Sequence, residues 1–597
     1  MKYDLSQSPF SRRGSYLQIE RGFHLDHPRV MLGSARRSIW RPVRGGGFGT
    51  HFFTIQLADD RDYRVQTTPW LCTGTADDGT RWRAAIADEN TMLFEADGAA
   101  LRFAATRGMA WAEQRGPRDV VVCDHDGRCV HHFRLTGSGQ LQLTYEPDGE
   151  RKDKAGAAHH RPCVTARGEA GRPVRVAYCN TEHEVHPSFT RTSLDQAVAS
   201  AQQDYNRWTQ LQATVAPPFE AAAFAWFMLW NQQVPRGAGL TRPAIIMSRF
   251  WMNSVWAWDA CFNAIALAVA DPKLAWDQLL LHMDHQTDQG QVPDSVDDGG
   301  PVYGWVKPPV QGWTALQLIN ALGVEACIDW LPEVYQRLLA WTRWWYAWRC
   351  DRTDGLCRYM HGNDSGWDNS SIFAEPGPVI SPDLQAFLAV QWKALARIAV
   401  ILGRPEDARA HLDEARRQTE AMARGLNVNG TLGYIDPGGR LVPSTSTLTR
   451  MAIVLGSDLP TAVRPRLIAD LTPGSRFVTA FGVATEATDS PNYVADGYWR
   501  GPIWAPEMAI AVDGLRRAGH EAVAAELALR FCRTCAAEPV AMFENYNATT
   551  GAGLRCMAYS WTAAVFVRLA HWLWQREHSA LDLRITLDRV PAIAPRR

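Results

Sequence analysis

Over residues 1 to about 205, apolar and polar side chains alternate in short runs. HFFTIQLADD, YRVQTTPWLC, RDVVVCD, CVHHFRLTG, LQLTYEPDG and RPVRVAYCN are rich in Val, Thr, Phe and Tyr, and Gly, Asp and Pro separate them. A period of two between turn residues at such intervals predicts strands of a β-sandwich over residues 1–190. KDKAGAAHH at 152–160 reads as a loop. The alternation stops near 190: TSLDQAVASAQQDYNRWTQLQ has helical spacing and good helix formers, which predicts a linker helix within 191–217.

From about 218 the pattern is helical with irregular connections. In DPKLAWDQLLLHMDHQTDQG, Trp276, Leu279, Leu280 and Met283 follow i, i+3, i+4, i+7. Asp271 can cap this helix, Pro272 suits its first turn and Gly290 can end it. Similar patterns occupy 220–234, 257–270, 312–323, 330–350, 381–403, 406–424, 446–456, 460–470, 501–518, 520–536 and 559–576. No strand runs alternate with them, which argues against a TIM barrel or a Rossmann sheet. About twelve helices without a fixed-period repeat fit six hairpins closing into an (α/α)6 toroid over 218–580, rather than a solenoid. Residues 581–597 form a C-terminal tail. The expected fold is therefore multidomain β + α.

Composition narrows the function. The chain has 597 residues, 46% hydrophobic, 21% charged, with a formal net charge of -1. Such a balance gives no electrostatic reason to expect nucleic acid or an anionic membrane as a partner. No run approaches the ~18 continuous apolar residues of a membrane helix. The N-terminus has no apolar h-region, so no secretory signal is visible and a cytoplasmic location is expected. Twelve cysteines are scattered. Cys532 and Cys535 form a lone CxxC, and Cys123 and Cys129 flank a turn. Neither pair has an evident second half, so reduced, buried thiols are expected rather than a metal site, and no cofactor is implied.

Twenty-five tryptophans are about three times average usage. They cluster at 251–258, 341–348 and 499–504. An indole N–H wants a partner, and a flat ring can floor a sugar. For Trp344 and Trp348, the i, i+4 spacing favours core packing instead.

Four stretches are too polar or too rich in Pro and Gly for packing: SRFWMNSVWAWDACFN (248–263), QVPDSVDDGGPVYGWVKPPVQGW (291–313), HGNDSGWDNSS (361–371), and a split fourth, DGYWRGPIWAPEM (496–508) with MFENYNATTGAG (542–553) and YSWTAA (559–564). Long loops in compact domains are usually functional. Carboxylates, amides, aromatics and one Arg recur, a mixture suited to a neutral polyhydroxylated ligand. Phosphate would call for a glycine-rich nest, and there is no GxSxG, HExxH or strand-preceded GxGxxG. Glycoside hydrolysis needs two carboxyl groups, one protonated to serve the leaving oxygen and one ionised. On the residues alone, Asp368 competes with Asp364, and Glu544 with a loop salt bridge. Asp259 at a helix start could cap that helix.

SGWDNSS followed by SPDLQAFLAVQWKAL, YWRGPIW, FENYNATTG and YSWTAA, with WAWDACFNAIAL upstream, resembles the ordered motifs of the glycoside hydrolase family 63 group. That group includes processing α-glucosidases and the mannosylglycerate and glucosylglycerate hydrolases. The trehalases of family 37 and the glucoamylase-like clan are looser matches. The resemblance covers about 240–565 and implies an inverting enzyme acting on a small oligosaccharide or glycoside, α-glucoside before α-mannoside. It places the general acid on Asp368 and the general base on Glu544. Trp258, Asp259, Gln311, Trp499 and Arg500 fall on sugar-subsite positions. Many relatives read E-S-G-M-D-N where this chain has N-D-S-G-W-D-N, so Trp367 narrows the site beside the acid. Other readings are a glycoside phosphorylase, which needs basic groups for phosphate, a sugar epimerase, which relies on paired histidines absent from the late loops, and a non-catalytic carbohydrate-binding protein. Oligomeric state cannot be read.

Overall fold

The computed structural model describes residues 1–582 except 22–29, 37–40, 44–46, 50, 58–60, 98–99, 107, 125–128, 153–157, 182–190, 213–219, 238, 269 and 352. Parts of the expected 124–128 turn, the 152–160 loop, the linker and most of the C-terminal tail thus lie outside the described residues. The chain forms two compact units. The first holds Met1–Gln210, Trp230–Pro235 and Ser248–Asn253; the second holds Leu211–Leu229, Arg236–Met247 and Ser254–Arg597.

The first unit contains two antiparallel sheets. In one, six strands lie in the order Leu17–Arg21, Val30–Ser34, His51–Leu57, Leu101–Ala105, Ala158–Arg167, Gln140–Lys152. In the other, eight lie in the order Trp111–Gln114, Asp119–Cys123, Val130–Leu135, Val174–Thr181, Thr91–Ala96, Arg81–Ile86, Leu71–Thr75, Arg64–Thr68. Alternate residues of both sheets point into one core, where Phe53 meets Phe133 edge-on at 5.0 Å and Phe94 meets Phe103 at 5.0 Å. This is the sandwich that the period-two runs predict. Helix α1 (Leu194–Gln212) lays Leu194 and Ala197 on the outer side of the larger sheet, against Ala85, Leu93 and Ala177.

The second unit is helical: α2 (Glu220–Asn231, whose last two residues belong to the first unit), α3 (Asp259–Leu267), α4 (Pro272–Met283), α5 (Gln311–Leu322), α6 (Val324–Cys327), α7 (Leu331–Trp348), α8 (Pro382–Ile401), α9 (Pro405–Gly425), α10 (Arg464–Asp470), α11 (Ala505–Arg517), α12 (Glu521–Ala537) and α13 (Ser560–Asp582). Helix α3 packs on α13 and α5, and α5 on α8. Helix α8 packs on a run of 3-10 turns at Thr447–Asp458, which packs on α11, and α11 packs on α13. Helices α4, α7, α9, α10 and α12 lie against these.

Several expectations need correction. Asp271 does cap α4, accepting from Leu274 N at 3.0 Å, but the helix ends at Met283 and not near Gly290. Asp284 is drawn off by Arg242 at 2.7 Å, and 284–290 turns back on itself. The segment 446–456 is 3-10 rather than α; Ser446 caps it, accepting from Leu448 N at 3.3 Å, and Gly456, at φ 59°, kinks it. Trp341, Trp344 and Trp345 are core, but Trp348 is 64% exposed because α7 ends there. Contrary to the hydropathy expectation, α8 is long and apolar enough to cross a membrane by composition; 78% of its most apolar window is buried inside the unit, where the other helices supply its apolar surroundings. Short β-ribbons also interrupt the helical half, at Val255–Trp256 with Ser295–Asp297 and Gly300–Val302, and at Ile503–Trp504 with Asn545–Tyr546 and Gly553–Leu554. No alternation announces them, since each strand has only two or three residues.

Candidate active site

The 361–371 stretch is a loop of tight turns, held by backbone hydrogen bonds and by side chain to backbone hydrogen bonds. His361 caps a 3-10 turn by accepting from Asn363 N at 3.1 Å, Ser365 Oγ accepts from Trp367 N at 3.1 Å, and Gly366 closes the turn at φ 71°. Gly366 is required twice. Its backbone is left-handed, and a Cβ would lie 2.6 Å from the Trp258 ring. Asn369 ties this loop to 496–508, donating to Gly497 O at 3.0 Å and accepting from Trp499 N at 2.9 Å. Ser370 pairs with Ser446 and Ser371 with Glu486.

The two aspartates of the loop divide sharply. Asp364 is buried, ion-paired with Arg349 at 2.7 Å, and accepts from Val306 N at 3.1 Å and Met360 N at 2.9 Å. Its oxygens are committed to the fold. The Asp368 side chain is 32% exposed, its nearest ionic neighbour being Lys307 Nζ at 4.0 Å. Desolvation raises its pKa; Lys307 opposes this, Asp294 adds to it and His361 opposes it.

Lys307 is buried. Its ammonium contacts Asp294 at 3.1 Å and donates to Asn363 O at 2.9 Å, and the charge of Asp259 also reaches it. The place of Lys307 among three aspartates depends on the meeting of loops far apart along the chain. Asp259 opens α3 without capping it by a side-chain hydrogen bond. Burial pushes its carboxyl well above the ordinary value, against Lys307, with Asp294 and Asp368 adding to the rise.

Glu544 comes from the other side of the sequence. It precedes Asn545–Tyr546, the middle strand of the late ribbon. Its backbone N donates to Cys556 O at 2.7 Å and its Oε2 accepts from Cys556 N at 3.2 Å. Burial lifts its pKa to about 7; the hydrogen bond from Cys556 and the charge of Arg555 oppose that, Asp368 adds to it, and Tyr498 hydrogen-bonds to the carboxylate. Tyr498 in turn feels Asp368, Glu544 and Asp259. The charge of Asp368 therefore reaches Glu544, and Tyr498 feels both. The backbone around this group is strained. Tyr498 (φ 63°), Met542 (φ 47°), Arg555 (φ 68°) and Ala558 (φ 54°) are four of the five described non-glycine residues at positive φ, a concentration expected where geometry is held for function.

The other predicted residues sit as follows. Trp258, Trp367 and Trp499 are buried, not open floors. Trp367 stacks on Trp499 at 4.8 Å, Trp499 stacks on Trp504 at 3.9 Å, and Trp258 meets Trp561 edge-on at 5.6 Å. They form one aromatic cluster that reaches Glu544 through Trp561, whose Nε1 donates to Glu544 O at 3.4 Å. Gln311 is also buried, donating to Ala257 O at 3.4 Å and accepting from Trp341 Nε1 at 3.1 Å. Arg500 Nε donates to Asn492 O at 3.3 Å. The cation beside Glu544 is instead Arg555, 39% exposed, paired with Asp496 at 2.7 Å and lying over the Tyr498 ring at 5.7 Å. Among the described residues no group of three His, Cys, Asp or Glu is arranged to hold a metal ion. Cys532 and Cys535 are both buried thiols on α12.

The helical half of the chain matches a known class. A family model described as "Mannosylglycerate hydrolase MGH1-like glycoside hydrolase domain" matches residues 252–562, which takes in all four polar stretches from Asp259 to Trp561. The protein is a glycoside hydrolase of the family 63 type. The chain belongs to the mannosylglycerate hydrolase MGH1-like family. Mannosylglycerate hydrolase MGH1 of Selaginella moellendorffii is 23% identical over 402 residues, covering 54% of this chain and 80% of that protein. A mannosylglycerate hydrolase of Rubrobacter radiotolerans is 24% identical over 401 residues, covering 52% and 89%. The family 63 mannosylglycerate hydrolase of Thermus thermophilus in complex with glucose shares the fold, with a TM-score of 0.52, 21% identity, and coverage of 59% of this chain and 99% of that one. A bacterial glucoamylase complexed with acarbose has a TM-score of 0.55 at 11% identity, covering 95% and 94%.

Proposed function

We propose that the protein is an inverting, exo-acting hydrolase of α-linked glycosides, with Asp368 as general acid and Glu544 as general base. The charge of Asp368 reaching Glu544, from a loop 176 positions away, with Tyr498 feeling both carboxylates, carries this reading. The adjacency of α3, α5, α8, the 3-10 run, α11 and α13 supports a closed (α/α)6 toroid whose loop end holds the pair. Asp368 hands its proton to the glycosidic oxygen, and Glu544 takes a proton from the water that attacks the anomeric carbon from the other face. As Asp368 becomes anionic, the ammonium of Lys307 faces the new charge, while Asp294 balances that ammonium beforehand. Asp259 and Tyr498 line the sugar. The substrates are α-glucosides first and α-mannosides second. The relatives' activity on mannosylglycerate puts glycosylglycerates among the first to try, with Arg555 and Arg500 as cations for a carboxylate aglycone. The protein works without cofactor, in the cytoplasm.

One observation favours the opposite assignment of roles. Glu544, lifted to about 7, holds its proton well at rest, as an acid should, and Asp368 has the nearer cation. Fluoride leaves without a proton, so α-glycosyl fluorides separate the two. With Asp368 as acid, Asp368→Asn hydrolyses the fluoride far better than the glycerate glycoside, and Glu544→Gln fails on both. The reverse pattern exchanges the roles. Near wild-type rates for both variants on both substrates would remove the reading altogether. Proton NMR of the first sugar released shows the inverted anomer; a retained anomer rules out the single-displacement route.

A further inference from the structure

Two cysteines face each other across the short hairpin that leads out of α7. Arg358 N donates to Arg349 O at 2.8 Å and Asp351 N donates to Leu356 O at 3.2 Å, which makes Cys350 and Cys357 direct antiparallel partners between those bonds. They therefore occupy a non-hydrogen-bonded pair, the position where Cα atoms approach to about 4.5 Å and side chains on one face touch. That spacing lies inside the range a disulfide spans. Both thiols are free; the Cys350 thiol donates to Asp351 O at 3.7 Å and the Cys357 thiol to Trp345 O at 3.8 Å. Cys350 is half-buried and reachable; Cys357 is fully buried, with its backbone clamped by Gln385 at 3.0 and 2.7 Å. Sequence spacing did not single out this pair; the close cysteine pairs it drew attention to were Cys532 with Cys535 and Cys123 with Cys129, all expected as reduced thiols.

The hairpin is mechanically joined to the active-site loop. Arg349, the neighbour of Cys350, carries the ion pair that anchors Asp364, and Met360, three residues after Cys357, donates to the same carboxylate at 2.9 Å. Cys357 also belongs to the apolar cluster that contains Ala257 and Val306, next in sequence to Trp258 and Lys307. We infer that Cys350 and Cys357 are a reversible thiol–disulfide site, a staple across the base of the segment that carries Asp364 and Asp368. In the forward step, the Cys350 thiolate attacks one sulfur of a small-molecule disulfide of the glutathione class and releases one glutathione thiolate. Cys357 then loses its proton to solvent and displaces the second glutathione thiolate, forming the intramolecular bond. Two electrons pass from the cysteines to the reagent, and the two protons leave with the released thiols. Excess reduced glutathione runs the exchange backwards.

The test is peptide mass spectrometry of the full chain after incubation with oxidised glutathione and alkylation of remaining thiols. The wild type is expected to lose two hydrogens, with Cys350 joined to Cys357 and the other ten cysteines alkylated. Cys357→Ser, or Cys357→Ala if the serine variant folds poorly, is expected to stop with one glutathione on Cys350. Cys350→Ser leaves Cys357 unreacted. Oxidation raises the thermal midpoint of the wild type by ~2 °C or more and moves neither variant. Glutathione that stays on wild-type Cys350 without resolving, a crosslink through any other cysteine, or two alkylatable thiols after treatment each overturn the inference. The wild-type map decides the pairing without any variant.

Discussion

The loop bearing Asp368 and the ribbon bearing Glu544 place the same functional group in opposite settings. The loop is held by serine and asparagine side chains, leaves its carboxylate a third exposed, and sets a buried ammonium 4.0 Å away. The ribbon is held by backbone pairing, buries its carboxylate, and is flanked by residues at positive φ. Two carboxyls whose surroundings differ this much have different proton affinities, which is the condition for dividing acid and base work between them. Asp364 sharpens the lesson. Four residues from Asp368 and in the same loop, it is saturated by Arg349 and two backbone N–H groups, so it is a structural anchor.

The largest expected effect comes from removing either carboxylate of the proposed catalytic pair. Asp368→Asn and Glu544→Gln should each lower kcat on a glycerate glycoside by about 10²–10⁴-fold, with calorimetry showing an intact fold. Next, Asp364→Asn should cost stability, about 3–5 kcal/mol in urea unfolding, because it strands the Arg349 charge. If instead it kept full stability and lost only turnover, the division between the two aspartates would be reversed. Lys307→Met should cost a similar amount by leaving Asp294 buried and unpaired. Adding Asp294→Asn should restore most of that stability without restoring turnover, and the alkaline limb of kcat/KM should move up because Asp368 has lost its cation.

A pH effect of intermediate size follows from Glu544. Its folded pKa of about 7 lies above the ordinary 4.5, so the folded state binds the extra proton between those values. Stability therefore falls as pH rises from 4.5 to about 7, by about 3 kcal/mol, and Glu544→Gln should recover roughly that amount at neutral pH while abolishing activity. Over the same window kcat/KM should rise with pH as the base ionises. A stability curve flat for the wild type across that range would show that Glu544 is not desolvated. Smallest is Asn369→Ala, which cuts the two hydrogen bonds joining the acid loop to 496–508 and should cost about 1–3 kcal/mol.

Much of this was legible beforehand. The sandwich followed from period-two runs, and every expected helical segment is present in some form, because burial of one face imposes a period on sequence. The motif order nominated Asp368 and Glu544 as the pair to test. The roles of Trp258, Trp367, Trp499 and Gln311 were harder to read. All were expected to meet the sugar, yet they are buried against one another or against Ala257 and Trp341. Aromatic and amide side chains look alike in sequence whether they face a ligand or support those that do. Trp348 shows the same limit, since helical spacing continues past the point where α7 ends.

The sequence by itself determined the β-rich and the helical halves, which stretches are polar enough to be loops at a site, and the family to which those loops belong. These are local properties, written in the period and chemistry of neighbouring residues. Only the tertiary structure decided which aspartate of a pair keeps its oxygens, which lysine enters a nest of carboxylates, and which two of twelve thiols stand opposite each other. Those outcomes depend on what distant segments bring within a few ångströms, because desolvation and charge act through space and not along the chain.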